Sequence, residues 1–203
     1  MKRLFSLSLV AVLAACGGGE PATDAPAETE MEAEAEPAAT GAASAPAAPT
    51  GEMTMPAWFE MDEASQTVTI NLVAGANSTA NYWNYHGATN GNLAITVPEG
   101  YTVNMTLQND DPNMAHSAGI EAQVGGYSAA PQPSPVFDGA VTSNPTSMVD
   151  GTMPGESETI TFTADQAGEY AIVCYVPGHA ATGMWVRFNV SADGGAGVQG
   201  YQM

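Results

Sequence analysis

From Trp58 onward the chain alternates between apolar and polar positions. Val68, Ile70 and Leu72 are interleaved with Thr67, Thr69 and Asn71. The same rhythm runs through Leu93, Ile95 and Val97, through Val103, Met105 and Leu107, through Ile160 and Phe162, through Tyr170, Ile172 and Cys174, and through Met184, Val186, Phe188 and Val190. Successive side chains of a strand point to opposite faces, so a period of two marks strands with one apolar face. Six such segments, with no helical period of comparable length, predict an all-β Greek-key sandwich or barrel. Gly75, Pro98-Glu99-Gly100, Asn109-Asp110-Asp111-Pro112 and Ala167-Gly168 separate them as turns. Between Gly119 and Ser157 the rhythm fails. That stretch carries Gly125-Gly126, Pro131, Pro133, Pro135, Pro145 and Pro154 and is too long for a hairpin. It predicts an excursion over the surface, ordered only in part, of the kind that often serves function.

The N-terminal part is different. Met1, Lys2 and Arg3 precede an apolar run from Leu4 to Ala15 broken only by Ser6 and Ser8. A positive start followed by a short apolar stretch is an export signal, too short to span a bilayer. Leu13-Ala14-Ala15-Cys16 resembles a bacterial lipobox, in which the cysteine is lipidated and begins the mature chain. The plainer alternative is an ordinary signal peptide cut nearby, with Cys16 incidental. Both readings place the protein outside the cytoplasm, in the periplasm or at the cell surface, and the first anchors it to a membrane through lipid on Cys16.

From Gly17 to about Pro56 the residues are mostly Ala, Pro, Glu, Thr and Gly, without an aromatic ring. Such a segment buries too little apolar area to offset its conformational entropy, which predicts a disordered acidic spacer with a reach on the order of 35 Å. The expected organisation is a signal peptide over 1–15, a lipid-anchored linker over 16–56, one folded domain over 57–195 and a flexible tail over 196–203. The two cysteines, Cys16 and Cys174, invite a disulfide. A bridge from a lipidated residue across that linker would be an odd constraint on a tether, so Cys174 is read as a lone thiol that needs protection or a metal.

Charge narrows the function classes. The chain has three Lys and Arg against 22 Asp and Glu, a formal net charge of -19. From Cys16 onward the only cation is Arg187. Nothing is left to neutralise phosphates, which excludes nucleic acid and polybasic membrane binding. Three histidines, His86, His116 and His179, exclude multicopper and two-metal chemistry and leave room for one mononuclear site.

One loop carries the chemistry. Cys174, on the inward parity of its strand, is followed five residues later by His179 and five after that by Met184, where the next inward-facing strand begins. Cys174 alone reads as a structural thiol and Met184 alone as core filler. Together with a distant second histidine they make the soft His2Cys set with a weak thioether that suits copper, whereas zinc prefers four strong ligands. His116, beyond the turn after the strand ending near Gln108, is the expected second histidine. It would reach the Cys174 loop if the two strands are parallel neighbours.

Phe162 to Tyr170, leading into the loop Cys174-Tyr175-Val176-Pro177-Gly178-His179-Ala180-Ala181-Thr182-Gly183-Met184, resembles the C-terminal half of a cupredoxin, a small blue copper protein. Tyr82-Trp83-Asn84-Tyr85-His86-Gly87-Ala88-Thr89-Asn90-Gly91 resembles the aromatic-Asn motif of the sulfocyanins within that superfamily. The resemblance covers about residues 65 to 191. His86 departs from it where a second Asn is usual, and Ser117 where Asn is common. It implies one type 1 copper ion held by Cys174, His116 and His179 in the equatorial plane with Met184 axial, and a Ser117 N–H donating to the thiolate. It also implies that the His179 ring edge emerges through an apolar patch of Pro177, Ala180, Ala181 and Met114 or Met153. Tyr82, Trp83 and Tyr85 read as a structural plug rather than a hopping path, and His86 as a hydrogen-bonded structural residue.

The resulting expectation is a monomeric, membrane-tethered single-electron carrier rather than an enzyme. Its partners would be respiratory proteins, such as a cytochrome or a haem-copper oxidase with a basic docking face. Copper delivery or storage by the same ligands is the alternative. A nitrite-reductase type of enzyme is more distant, because only His86 would remain for a second copper.

Overall fold

The computed structural model describes residues 46–200. The export signal, Cys16 and most of the expected linker lie outside the described residues. Among the described residues nine strands form two sheets: β1 (Phe59–Asp62), β2 (Thr67–Ala74), β3 (Ala94–Pro98), β4 (Thr102–Asn109), β5 (Gly119–Ala122), β6 (Ser157–Thr163), β7 (Gly168–Val173), β8 (Trp185–Ser191) and β9 (Gly197–Gln199). One sheet runs β1-β2-β4-β6 and the other β5-β7-β8-β3-β9. From β2 to β7 each successive strand lies in the opposite sheet, so the chain laces the sandwich together and gives parallel pairs β2/β4 and β3/β8. Among the described residues there is no α-helix, and no helix long and apolar enough to cross a membrane.

The predicted strands form because their alternation matches the burial. In β2, Val68, Ile70, Leu72 and Ala74 point into the core, and in β4 Val103, Met105 and Leu107 do. Both sets meet Ile172, Val186 and Phe188 from the facing sheet in one core cluster. β3 is the exception: it is buried along its whole length, having β8 on one side and β9 on the other.

Three expectations are corrected here. The segment 196–203 is not simply a tail: Gly197–Gln199 is β9, antiparallel to β3, and Val198 is fully buried. The linker does not extend to residue 56, because Thr54 and Val198 exchange backbone hydrogen bonds and Gln199 Nε2 donates to the Gly51 carbonyl. The guanidinium of Arg187 also donates to the Pro46 carbonyl. A strap of residues 46–56 therefore belongs to the folded part. The third correction concerns residues 119–157, which are more than a surface excursion. They begin with β5, and the chain returns so that Ile120 and Thr142 donate to the Ala140 and Ala118 carbonyls. Phe137 is buried, stacked on Phe162 and edge-on to Tyr170.

Candidate metal centre

His116 does not reach Cys174 as a neighbour of its strand. β4 and β7 lie in different sheets, so the condition that they be parallel neighbours is not met. After β4 the chain crosses to the other sheet and enters β5, which pairs antiparallel with β7 so that Gly119 faces Val173. His116 and Ser117, just before β5, are thereby set beside Cys174, just after β7. Gly119 is required at this junction: a Cβ there would stand 2.6 Å from the Tyr175 ring. His179 and Met184 follow on the loop into β8. That loop is closed by backbone hydrogen bonds from Met184 N to the His179 carbonyl and from Cys174 N to the Met184 carbonyl.

Three donor atoms converge. Cys174 Sγ is 3.9 Å from His116 Nδ1 and 3.5 Å from His179 Nδ1, and the two nitrogens are 3.2 Å apart. The point equidistant from all three lies in their plane at about 2.1 Å from each, the length of ordinary metal–nitrogen and metal–thiolate bonds of about 2.0–2.3 Å. One ion therefore fits at the centre of the triangle. His116, Cys174, His179 and Met184 are all 0% exposed, so water has no direct path to such an ion. Met184 joins Cys174 in the core cluster.

Two further side chains, read from the sequence only as turn or plug, organise the donors. Asp111 Oδ2 lies 2.9 Å from His116 Nε2, and both residues are buried. A carboxylate only accepts, so Nε2 carries the proton and Nδ1 keeps its lone pair toward Cys174. Asp111 Oδ1 in turn accepts from the Asn113 and Met114 N–H groups. Gly75 makes room for this turn, since a Cβ on it would clash at 2.6 Å with the Asp111 backbone nitrogen. An aspartate five residues before the histidine was the available signal, but turn chemistry explains Asn109 to Pro112 equally well from sequence alone.

The second side chain is Trp83. Its indole stacks on His179 with ring centroids 4.1 Å apart and planes 22° from parallel. This overturns the expectation that the His179 edge emerges at the surface. Of the anticipated patch, Pro177 and Ala181 are exposed, Met114 and Met153 are half-buried and Ala180 is buried. Trp83 is aimed by an unusual turn. Ala80, Asn81 and Tyr82 have φ of 50°, 58° and 67°, three successive left-handed residues costing about 1–2 kcal/mol each. The buried Asn84 holds the turn shut: its amide donates to the Asn77 and Thr79 carbonyls and its oxygen accepts from Gly87 N–H. Strain retained this way is characteristic of functional elements.

The thiol has its own surroundings. Burial pushes the Cys174 thiol up, against the opposing pull of the Ser117 and Val176 N–H groups and the Ser117 and Tyr85 hydroxyls. Ser117 Oγ accepts from Tyr175 N–H and stands 3.7 Å from Sγ, while Tyr85 O–H donates to the Ser117 carbonyl. His86 is stacked on Trp58, with Nε2 3.0 Å from the Asn71 carbonyl, and is not among the converging donors.

Burial opposes protonation of all three histidines. Burial lowers His179 to about 3, with His116 adding to the effect, and lowers His86 to about 4. Burial also lowers His116, although Asp111 opposes it. For His179 and His86 the unfolded chain binds a proton near pH 6.5, whereas the folded protein does not until well below. Stability of the metal-free protein is therefore greatest above pH 6.5 and falls as pH drops toward 4, by up to about 1.4 kcal/mol per pH unit for each of these two histidines. Urea titrations between pH 7 and 4 check this. His86→Gln should flatten the slope, and an unchanged slope would contradict the assignment for His86.

The sulfocyanin (SoxE) domain matches residues 56–197. Sulfocyanin from Sulfolobus acidocaldarius is 32% identical over 127 residues, which are 60% of this chain and 62% of that protein. Rusticyanin from Acidithiobacillus ferrooxidans is 33% identical over 100 residues, 49% of this chain and 50% of its own. The chain thus spans half to just under two-thirds of the length of these relatives. Among solved structures, rusticyanin from Thiobacillus ferrooxidans is 28% identical, covering 66% of this chain and 88% of its own with a TM-score of 0.46.

Proposed function

The chain belongs to the sulfocyanin family of blue copper cupredoxins, and from that premise we propose that it is an extracytoplasmic carrier of single electrons, tethered to a membrane through lipid on Cys16. One type 1 copper ion is its cofactor, which His116, Cys174 and His179 would hold as strong donors and Met184 as a weak thioether donor. When bound, copper supplies a one-electron couple between its two oxidation states.

The observation that carries this reading is the enclosed triangle of donors on a braced scaffold. Asp111 fixes the tautomer of His116, Trp83 packs the ring of His179, and the Cys174 loop is locked by its own backbone bonds. Donors so constrained move little when charge at the centre changes, which keeps reorganisation small. The same enclosure argues against copper delivery, because an incoming protein would need to reach ligands that have no exposed surface. It also leaves no open position at which a substrate would meet the centre.

The surface supplies the recognition. Arg187, the only Lys or Arg among the described residues, is 4% exposed, spanned by Trp185 and the Gly91 and Pro46 carbonyls. What faces solvent is therefore anionic, with Glu60, Glu63, Glu99, Asp110, Asp150, Glu156, Asp165 and Asp193 exposed. Such a field steers encounter with a basic partner face. The transfer rate to a basic haem protein should fall steeply between roughly 0.01 and 1 M salt, as the Debye length contracts from about 30 to 3 Å. A flat profile would reject steering and assign the acidity to solubility in concentrated salt. Reversible one-electron titration of the copper-loaded chain tests the carrier itself.

A further inference from the structure

The motif around Trp83 supplies no donor atom to the metal, yet the fold keeps three strained residues and a buried asparagine to aim one indole. His179 is 0% exposed, and its Nε2 has neither solvent nor a hydrogen-bond partner among the described residues. No partner can therefore touch the ring of that ligand directly. Trp83 lies face to face with it at 4.1 Å and is itself only half-buried, so it joins the ligand to the surface. Its own Nε1 is buried without a partner, which means that stacking and the turn, rather than a hydrogen bond of the indole, hold it there.

Resting on the electron-carrier reading, we propose that Trp83, in place of the His179 edge, is the contact through which the electron crosses to a protein partner. One electron leaves the reduced copper-loaded protein and one is gained by an oxidised haem protein or an oxidised second copy. No bond forms or breaks, and the indole mediates the coupling without being oxidised itself.

Removing the ring leaves a pit about as wide as an indole. The broad surface of a protein cannot fill it, so water intervenes and transfer slows. A small metal complex can enter it, meet His179 and react faster. The proposal therefore predicts effects of opposite sign for large and small partners, which a generally loosened site would not produce.

The test uses the copper-loaded full chain as wild type, W83A and W83F. Electron self-exchange is measured at high salt, to suppress repulsion between anionic copies, and oxidation by a small cationic cobalt(III) complex is measured in parallel. Potential and visible spectrum are recorded so that driving force is held in common. W83A should slow self-exchange several-fold and accelerate the cobalt reaction, while W83F, which keeps a flat ring, stays near wild type in both. In the metal-free protein, modification of His179 by diethyl pyrocarbonate, mapped by mass spectrometry, should be slow in wild type and fast in W83A. If W83A does not fold, W83L takes its place with the same expectation. Unchanged self-exchange, a shift of both reactions in one direction, or equal modification of His179 would overturn the proposal. Failure of the wild-type protein to cycle one electron reversibly would instead sink the carrier reading on which it rests.

Discussion

Cys174→Ser should abolish intense visible absorption of the copper-loaded protein and lower its copper affinity by orders of magnitude, while leaving the fold intact. The thiolate is the only soft anionic donor at the centre, and at 0% exposure no other sulfur-bearing ligand can enter from solvent. Serine is close in size and inherits partners already present, the Ser117 hydroxyl and the Ser117 and Val176 N–H groups. The cost is therefore concentrated on the metal, with stability of the metal-free protein changed by about 1 kcal/mol or less. Absorption spectra and competition with a chelator measure both effects. A C174S protein that kept its colour would place the thiolate elsewhere. Because burial pushes the Cys174 thiol up, copper must displace its proton, so wild-type affinity should also weaken as the solution is acidified.

The second large effect belongs to Asp111, which touches no metal donor atom itself. Asp111→Ala leaves the buried Nε2–H of His116 without an acceptor and frees the ring to turn or change tautomer. Loss of such an outer partner typically costs roughly 10- to 100-fold in metal affinity. The metal-free protein should lose about 1–3 kcal/mol as well, since a buried donor and the Asn113 and Met114 N–H groups go unpaired. Asp111→Asn retains an acceptor for those groups and should recover most of the stability with less of the affinity. Urea denaturation and copper competition on the two variants separate these effects. Equal affinity for D111A and wild type would show that the Asp111 contact does not organise His116.

Much of this arrangement was legible in the chain because it is written at short range. The predicted alternations correspond to β2, β3, β4, β6, β7 and β8, since period two follows directly from the pleat. The Cys174, His179 and Met184 spacing marks one loop, and only a metal accounts for all three together. What was missed depends on distant pairing. β1, β5 and β9 are three or four residues long, and each is defined by the strand beside it: Val198 in β9 is buried by β3 and by Thr54, some 144 residues earlier in the chain. The route of His116 was misjudged because a parallel β4/β7 pair and a crossover into β5 put the same residues at the same end of a sandwich. Asp111 and Trp83 went unrecognised as site residues because a turn and an aromatic cluster each explain themselves locally. Their roles appear only where β4, the Gly75 turn and the Trp83 turn meet the Cys174 loop.

His116, Cys174 and His179 together would hold one copper ion in an enclosed site. Electron paramagnetic resonance and visible spectra of the protein loaded with one equivalent of Cu(II) address it most directly. The account predicts an intense sulfur-to-copper absorption band and the narrow parallel copper hyperfine splitting of a covalent thiolate centre. Weak ligand-field bands alone, with the wide splitting of a tetragonal nitrogen and oxygen site, would contradict it.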